Sequence, residues 1–182
     1  MKYVQQVYEL DCRYFRCINQ YFDHKRLNAF LRYATHLGGA GLMISIVLAL
    51  LVFTKGAMQF TALASAASLT VSHIPVAVVK KVYPRKRPYL VVQNSQVTDN
   101  PLVDCSFPSG HTTAIFSVII PFMLWNPLTA FLLLPVGIIV AISRVYLGLH
   151  YPTDILVGSL LGSFAGISSF LIIKHNFLFL FL

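Results

Sequence analysis

The chain has 182 residues, of which 57% are hydrophobic and only 11% are charged. Soluble domains carry roughly 25% charged residues, so the composition excludes an ordinary water-soluble domain. Fourteen lysines and arginines against six aspartates and glutamates give a net charge of +8, which on a membrane protein favours contact with anionic lipid headgroups or an anionic substrate. We predict one integral-membrane domain over residues 1–182.

The N-terminal segment, residues 1–36, mixes apolar and charged side chains at helical spacing. Its apolar positions include Val4, Val7 and Cys12, and charged residues separate them. This pattern predicts an interfacial amphipathic helix, followed by a second short helix over residues 27–36. Because the segment lacks the continuous apolar core of a removable signal peptide, we expect the first span to act as the insertion signal.

Five apolar runs follow, and we predict that they build a transmembrane bundle over residues 37–173. A helix needs ~17 to 25 apolar residues to cross a bilayer, and a helix satisfies every backbone hydrogen bond internally. Two runs are short, so we expect them to extend into the polar residues beside them. The fold class is therefore an all-α, polytopic bundle of five to six spans. The runs cover residues 37–53, 60–79, 112–125, 128–142 and 155–173.

The last apolar run carries three glycines at four-residue spacing, Gly158, Gly162 and Gly166. Four-residue spacing places them on one face of a helix. Small residues in such a stripe let neighbouring helices approach closely. We predict a packing role for this stripe.

Three polar segments share one end of the predicted bundle. If the apolar runs are spans, the ends of the second and fourth runs and the starts of the third and fifth lie on one membrane face. The segments read "KKVYPRKRP", "PSGH" and "SRVYLGLHYPTD". We predict catalytic segments over residues 80–111 and 143–154. The candidate functional residues in them are Lys80, Arg87, Ser109, Gly110, His111, Arg144, His150 and Asp154.

The residue types in these segments suit a tetrahedral oxyanion, because fixed cations, a hydroxyl and backbone N–H groups match its acceptor oxygens. Gly110 precedes an apolar helix, whose N-terminus favours negative charge. Asp154 lies four residues after His150 and can accept an N–H from it, which would hold one tautomer. A histidine oriented in this way is either a base or a nucleophile. Arg144 is alternatively a snorkelling arginine at the interface.

Other charged residues near these segments have simpler explanations. Lys81, Arg85 and Lys86 are expected to meet headgroups or solvent, as in a juxtamembrane anchor. Asp99 and Asp104 could shape substrate entry, but a solvated loop is the simpler account, because the segment between Lys80 and Pro108 is rich in prolines, amides and aspartates.

Together the three segments resemble the signature of the type 2 phosphatidic acid phosphatase superfamily. The first matches at Lys80 and, six residues later, at Arg87-Pro88, and the second is "PSGH". The third matches as Ser143-Arg144, five residues, His150, three residues and Asp154. All three parts occur in the expected order and spacing. The signature spans residues 80–154, and the flanking helices resemble the family's bundle more loosely.

The resemblance implies a hydrolase of phosphomonoesters or pyrophosphates that works through a phosphohistidine, with no metal and no cofactor. It implies that His150 attacks phosphorus and that Asp154 orients it. His111 would protonate the leaving oxygen and later activate water, a role typically worth ~10² to 10⁴ in rate. The residues that would bind the phosphate are Lys80, Arg87, Ser109, Gly110 and Arg144.

The resemblance also implies a lipid phosphate or pyrophosphate substrate. We favour undecaprenyl pyrophosphate and place phosphatidylglycerophosphate next, because the short loops resemble those of bacterial members. The expected location is a bacterial cell membrane, with several spans, contact with membrane lipids and an active site on the outer face. We expect no nucleic-acid partner. Two alternatives stay open, a lipid phosphotransferase and a non-enzymatic transporter that binds anions, and the oligomeric state is also open.

Overall fold

Seven α-helices form the chain in a computed structural model that describes residues 2–180, and no strand occurs within that range. Each of the five predicted apolar runs gives rise to one helix, so the all-α prediction is confirmed. Short 3₁₀ turns occur at Thr35–Gly38, Pro88–Leu90 and Pro127–Thr129. The helices are α1 (Lys2–Asn19), α2 (Lys25–Ala34), α3 (Ala40–Phe53), α4 (Ala57–Val82), α5 (Gly110–Trp125), α6 (Ala130–Tyr146) and α7 (Pro152–Leu180).

Three of these helices are long and apolar enough to cross a membrane. They are α4, α6 together with the turn that precedes it, and α7 over Pro152–Asn176. The pair Lys25–Gly38 and Ala40–Phe53 also qualifies, although it bends by 54° at its break. The central helix α5 has 16 residues, which at 1.5 Å per residue is shorter than a ~30 Å hydrocarbon core. Length and composition thus identify three spans, or four with the bent pair, among the described residues.

The centre of the bundle is α5, which packs against α3, α4, α6 and α7. Every side chain from residue 112 to residue 119 is buried, as expected for a helix that is apolar on all sides. The Ser65 hydroxyl of α4 donates a hydrogen bond of 3.0 Å to the Val118 carbonyl of α5. The short helix α5 is therefore surrounded by protein, and its N-terminus lies at one end of the bundle axis.

The glycine stripe of α7 lies directly against α5. A Cβ atom at Gly162 would approach the Thr113 carbonyl to 2.4 Å and the Ser117 nitrogen to 2.9 Å. At Gly158 it would approach the Ser109 carbonyl to 2.7 Å. These distances leave no room for a methyl group, so the predicted packing role is confirmed.

We expect Gly162→Ala to lower the melting temperature in detergent, because the new methyl group would overlap main-chain atoms of α5. Overpacking of this kind costs about 1 to 3 kcal/mol. The matched control is Gly41→Ala in α3, where a Cβ would meet nothing within 4 Å. Alanine is a better helix former than glycine by about 0.8 to 1 kcal/mol, so the control should be neutral or stabilising. Equal melting temperatures for the two variants would contradict this expectation.

The first helix, α1, is amphipathic and has three different faces. One face is buried on the bundle and includes Asp11, Cys12, Phe15 and Asn19. A second face is apolar but exposed, and a third is polar. The predicted amphipathic helix is therefore confirmed, and it is also docked on the protein. The exposed apolar face comprises Tyr3, Val7, Leu10 and Tyr14.

The connection between α4 and α5 is long and irregular, as predicted, with one short 3₁₀ turn at Pro88–Leu90. It lies beside the short connection from α6 to α7, because the Thr98 N–H donates to the Leu147 carbonyl at 3.4 Å. Asn19 of α1 donates to the Gln96 and Tyr146 carbonyls, each at 2.9 Å. Both connections and α1 are thus fastened together at one end of the bundle.

Candidate active site

The three polar segments meet at the end of the bundle where α5 begins. Arg87, from the first segment, donates to the Leu149 carbonyl at 2.7 Å, and its Nη1 lies 3.2 Å from Nε2 of His150. The Ser109 N–H, from the second segment, donates to the Asp154 carbonyl at 3.1 Å. The structure therefore brings the predicted site residues together.

The position of His150 follows from a turn at the end of α6. Gly148 has φ of +79°, and a Cβ there would lie 2.3 Å from the Gln96 carbonyl, so only glycine fits. The N–H groups of Leu149 and His150 both donate to the Arg144 carbonyl at 3.1 Å. The left-handed residue ends the helix and turns the chain back, as glycine commonly does at helix C-termini.

The His150 side chain is buried and oriented by Arg87. Because a guanidinium has only donors, Nε2 of His150 accepts in the 3.2 Å contact, which leaves the proton on Nδ1. Burial, reinforced by the charges of Arg144 and Arg87, lowers the pKa of His150 to about 4 in spite of the nearby Asp154 carboxylate. At neutral pH the imidazole is therefore uncharged, with the Nε2 lone pair available.

Asp154 lies next to His150 without a formed hydrogen bond. Nδ1 of His150 and Oδ2 of Asp154 are 3.4 Å apart, because Oδ2 accepts the Tyr151 N–H at 2.8 Å. The predicted hydrogen bond is thus replaced by a looser contact. It would shorten if His150 gained positive charge, since charge-assisted hydrogen bonds are shorter than neutral ones.

Arg144 is a buried cation that pairs with no carboxylate among the residues that the structure describes. Its side chain is 2% exposed, and Nη1 donates to the Thr35 hydroxyl at 2.8 Å. Its Nε and Nη2 atoms are also buried and have no hydrogen-bond partner among the described residues. A buried, unpaired charge is costly. An arginine in this state indicates a site that receives an anion, and it rules out the snorkelling alternative.

His111 occupies the first turn of α5, beneath the 3₁₀ turn Thr35–Gly38. A Cβ at Gly38 would lie 2.9 Å from the His111 carbonyl, and one at Gly39 would lie 4.0 Å from its Nε2. The turn that holds Arg144 through Thr35 therefore also covers His111.

Ser109 and Gly110 shape the N-terminus of α5. The Ser109 hydroxyl accepts from the Thr112 N–H at 3.4 Å and from the Thr112 hydroxyl at 3.0 Å, so it caps the helix. Beside Gly110 the space is open, since a Cβ there would meet nothing within 4 Å. The first N–H groups of a helix have no intrahelical partner and attract anions. The open side of this turn can therefore admit a phosphate.

Asp104 lies in the exposed, irregular loop, as expected, but its carboxylate also pairs with two of the predicted phosphate-binding cations. One carboxylate oxygen pairs with Lys80, and the other lies 2.5 Å from Nη2 of Arg87. Although burial opposes it, pairing with Lys80 and Arg87 lowers the pKa of Asp104 to about 2. A permanent carboxylate therefore competes with any phosphate for these two cations.

We expect Asp104→Asn to strengthen inhibition by inorganic phosphate about tenfold, because a charge-assisted contact is worth about 1.5 to 3 kcal/mol and 1.4 kcal/mol is tenfold. The measurement is the inhibition constant in a phosphate-release assay. The control is Asp99→Asn, since the Asp99 side chain is 82% exposed and pairs with Arg32, away from the predicted site residues. Unchanged or weaker inhibition in Asp104→Asn would show that the carboxylate does not compete.

The expectation that Arg85 meets headgroups or solvent is wrong. Its side chain is 14% exposed and pairs with Asp154 and with Asp11 of α1. Nothing distinguished Arg85 from its basic neighbours in the sequence. For Asp11 the sequence pattern offers one indication of burial, because this residue lies on the apolar face of α1, which is buried.

An apolar groove of ≈610 Å³ runs between α3, α5 and α6. Its lining begins at Leu37, directly before Gly38, which packs on His111. It continues past Met43 and Ile115 to Trp125, at the far end of α5. The groove thus extends from the candidate site along the length of the bundle.

Similarity to known proteins agrees with this geometry. Residues 61–178 match the family model of the PAP2 superfamily. An undecaprenyl-diphosphatase from Sulfolobus acidocaldarius is 27% identical over 150 residues, which cover 82% of this chain and 71% of that protein. The chain spans only 34% and 47% of the length of two other relatives, from Escherichia coli and Bacillus licheniformis.

Two solved structures share the fold. LpxE from Aquifex aeolicus superposes with a TM-score of 0.74 at 23% identity, covering 86% of this chain and 92% of that one. A PAP2 type phosphatidylglycerolphosphate phosphatase from Bacillus subtilis gives a TM-score of 0.69 at 24% identity, covering 97% of this chain and 87% of that one. With its apolar spans and its matched family model, the chain is a multi-pass membrane protein that belongs to the PAP2 superfamily.

Proposed function

We propose that the chain hydrolyses the terminal phosphate of a lipid phosphate or pyrophosphate through a phosphohistidine at His150, without a metal or cofactor. The observation that carries the proposal is Arg144, a buried guanidinium with two unpartnered nitrogens among the described residues, close to Arg87 and His111. A phosphate would supply the missing negative charge, and stabilising the charge on its oxygens is usually the largest catalytic contribution.

In the first step, Nε2 of His150 attacks phosphorus while the bond to the leaving oxygen breaks. Arg87 donates to Nε2 at rest, so its N–H must turn to a phosphate oxygen as the attack begins. Burial and the charges of Arg144 and Arg87 lower the pKa of His111 to about 3, and the negative charge of a bound phosphate would oppose that shift. With phosphate bound, a protonated His111 donates the proton that the leaving oxygen needs. The attack makes the His150 ring cationic, and Asp154, 3.4 Å from Nδ1, then stabilises it.

In the second step, water attacks phosphorus and the P–N bond breaks. Because His111 gave up its proton in the first step, it can now act as a base and take the proton from water. The products are a lipid with one phosphate fewer and inorganic phosphate. Arg144, Lys80, Arg87 and the first turn of α5 hold the phosphate oxygens throughout, with the Ser109 hydroxyl available if its cap to Thr112 opens.

A prenyl or acyl tail fits the apolar groove between α3, α5 and α6, whose volume is ≈610 Å³. We favour undecaprenyl pyrophosphate, because a relative that matches 82% of this chain is named undecaprenyl-diphosphatase. Phosphatidylglycerophosphate is the next candidate. We place the protein in a bacterial cell membrane with the site at the outer face.

The test is phosphate release by the purified protein in EDTA, from undecaprenyl pyrophosphate, phosphatidylglycerophosphate and phosphatidic acid in matched micelles. We expect release from the pyrophosphate to be fastest. Activity that disappears in EDTA would contradict a metal-free mechanism. Transfer of the phosphate to an added alcohol without free phosphate would instead identify a phosphotransferase. Phosphate uptake into sealed vesicles without hydrolysis would identify a transporter.

A further inference from the structure

Arg85 links the N-terminal helix to the candidate catalytic carboxylate. Its Nη1 donates to Oδ1 of Asp154 and to the Thr153 hydroxyl, each at 2.8 Å. Its Nη2 donates to Oδ2 of Asp11 at 2.7 Å. The guanidinium also lies 3.9 Å from the centroid of the Tyr151 ring, where a cation–π contact is favourable. Four residues therefore hold the Arg85 guanidinium in place.

Asp11 in turn caps α7 from outside that helix. Its Oδ1 accepts the Thr153 N–H at 2.9 Å, and its Oδ2 accepts the Thr153 hydroxyl at 2.5 Å. A cap normally comes from the residue before the helix, which here is Tyr151 and has no carboxylate or short hydroxyl side chain. Asp154 accepts the Tyr151 N–H, which is the reciprocal half of a capping box. The start of α7 is thus completed by α1.

The charge balance of Asp154 at rest depends on Arg85. Asp154 is 0% exposed, and a buried carboxylate needs a cation. His150 is uncharged at rest, so it cannot be that cation. Arg85 holds Oδ1, which leaves Oδ2 aimed at Nδ1 of His150 at 3.4 Å. The two oxygens therefore serve different partners.

We propose that Arg85, held in place by Asp11 of α1, is a positioning residue that keeps the Asp154 carboxylate ionised and aimed at His150. Arg85 has no assigned contact with the phosphate and acts through Asp154. The docked part of α1 is consequently part of the active site. This inference rests on the proposed function, because it concerns the role of Asp154 in stabilising the charged His150 ring.

The test compares Arg85→Gln, Asp11→Asn and the control Lys86→Gln in steady-state kinetics of phosphate release. Lys86 is the adjacent, exposed lysine. We expect Arg85→Gln to lower kcat about 100-fold with KM changed less than about threefold, because the groups that bind the phosphate remain. Asp11→Asn, which keeps the shape of the side chain, should lower kcat about tenfold. Lys86→Gln should match the wild type.

A second measurement separates positioning from a purely structural role. In an Asp154→Asn background, Arg85→Gln should cause little further loss, since residues that act as a unit are strongly non-additive. A kcat for Arg85→Gln close to that of the wild type, or an equal loss in both backgrounds, would overturn the proposal. If Arg85→Gln does not fold, the same comparison with Asp11→Asn decides it. A failure of the proposed function can be distinguished from a failure of this inference, because in the first case the wild type itself would release no phosphate.

Discussion

His150→Gln should abolish phosphate release, with kcat lowered at least about 10⁴-fold, because removing a covalent nucleophile costs far more than removing a binding group. The geometry explains the choice of residue. Nε2 of His150 is the acceptor of the Arg87 contact at 3.2 Å, and the lowered pKa of about 4 keeps the ring uncharged at neutral pH. Denaturation at alkaline pH of a reaction with ³²P-labelled substrate preserves the acid-labile P–N bond, and it should trap no labelled protein from this variant.

The matched control for this prediction is His111→Gln. His111 is expected to act in both proton transfers, so its loss should slow both steps. A substrate with a good leaving group, such as nitrophenyl phosphate, needs little help in the first step, so labelled protein should accumulate in His111→Gln. Labelled protein in His150→Gln, or turnover within about 100-fold of the wild type, would refute the nucleophile assignment.

The motif residues could be found from the sequence because their spacing reflects the ends of helices. Arg144 and His150 are six positions apart, and the turn that Gly148 permits brings them together through backbone hydrogen bonds. Such local geometry repeats wherever the same short pattern occurs. The convergence of the three segments also followed from counting apolar runs, since consecutive helices alternate in direction.

The partners of these residues could not be found in this way. Asp104 reaches Lys80 across 24 positions of irregular chain, which no periodicity predicts. Asp11 and Thr153 are 142 positions apart, and their pairing depends on how α1 docks. Arg85 stands among equally basic neighbours in the sequence, and its ion pairs with Asp11 and Asp154 distinguish it only in the folded chain.

From the sequence we predict five to six spans, with the short run 112–125 extended into the polar residues beside it. The helix α5 has only 16 residues, which is shorter than a ~30 Å hydrocarbon core, and protein surrounds it. Helix α3 is joined to α2 through a bend next to Gly39, and only the two together are long and apolar enough to form one span. The sequence pattern of α2 alone predicts an interfacial helix. Hydropathy detects a helix that avoids water, but it does not distinguish contact with lipid from contact with protein.

A second large effect is expected at Arg144, where activity and stability should change in opposite directions. Arg144→Met should lower kcat about 10³-fold, because charge stabilisation at the phosphate is lost. The same change should raise the melting temperature without ligand. The cation is 2% exposed and has no anionic partner among the described residues. Replacing buried charged groups by apolar ones of similar volume often stabilises a protein by about 1 to 4 kcal/mol.

The control for this prediction is Arg32→Met, since the Arg32 side chain is 37% exposed and pairs with the exposed Asp99. Surface pairs contribute about 0 to 1 kcal/mol, so Arg32→Met should leave activity unchanged and stability nearly so. Added phosphate or vanadate should raise the melting temperature of the wild type but not of Arg144→Met, because the ligand then lacks its main cation. If Arg144→Met instead melts well below the wild type, Arg144 is a structural residue and its unpartnered nitrogens do not mark the phosphate site. A more stable, inactive Arg144→Met would show that the protein sacrifices stability to keep a buried positive charge ready for an anion.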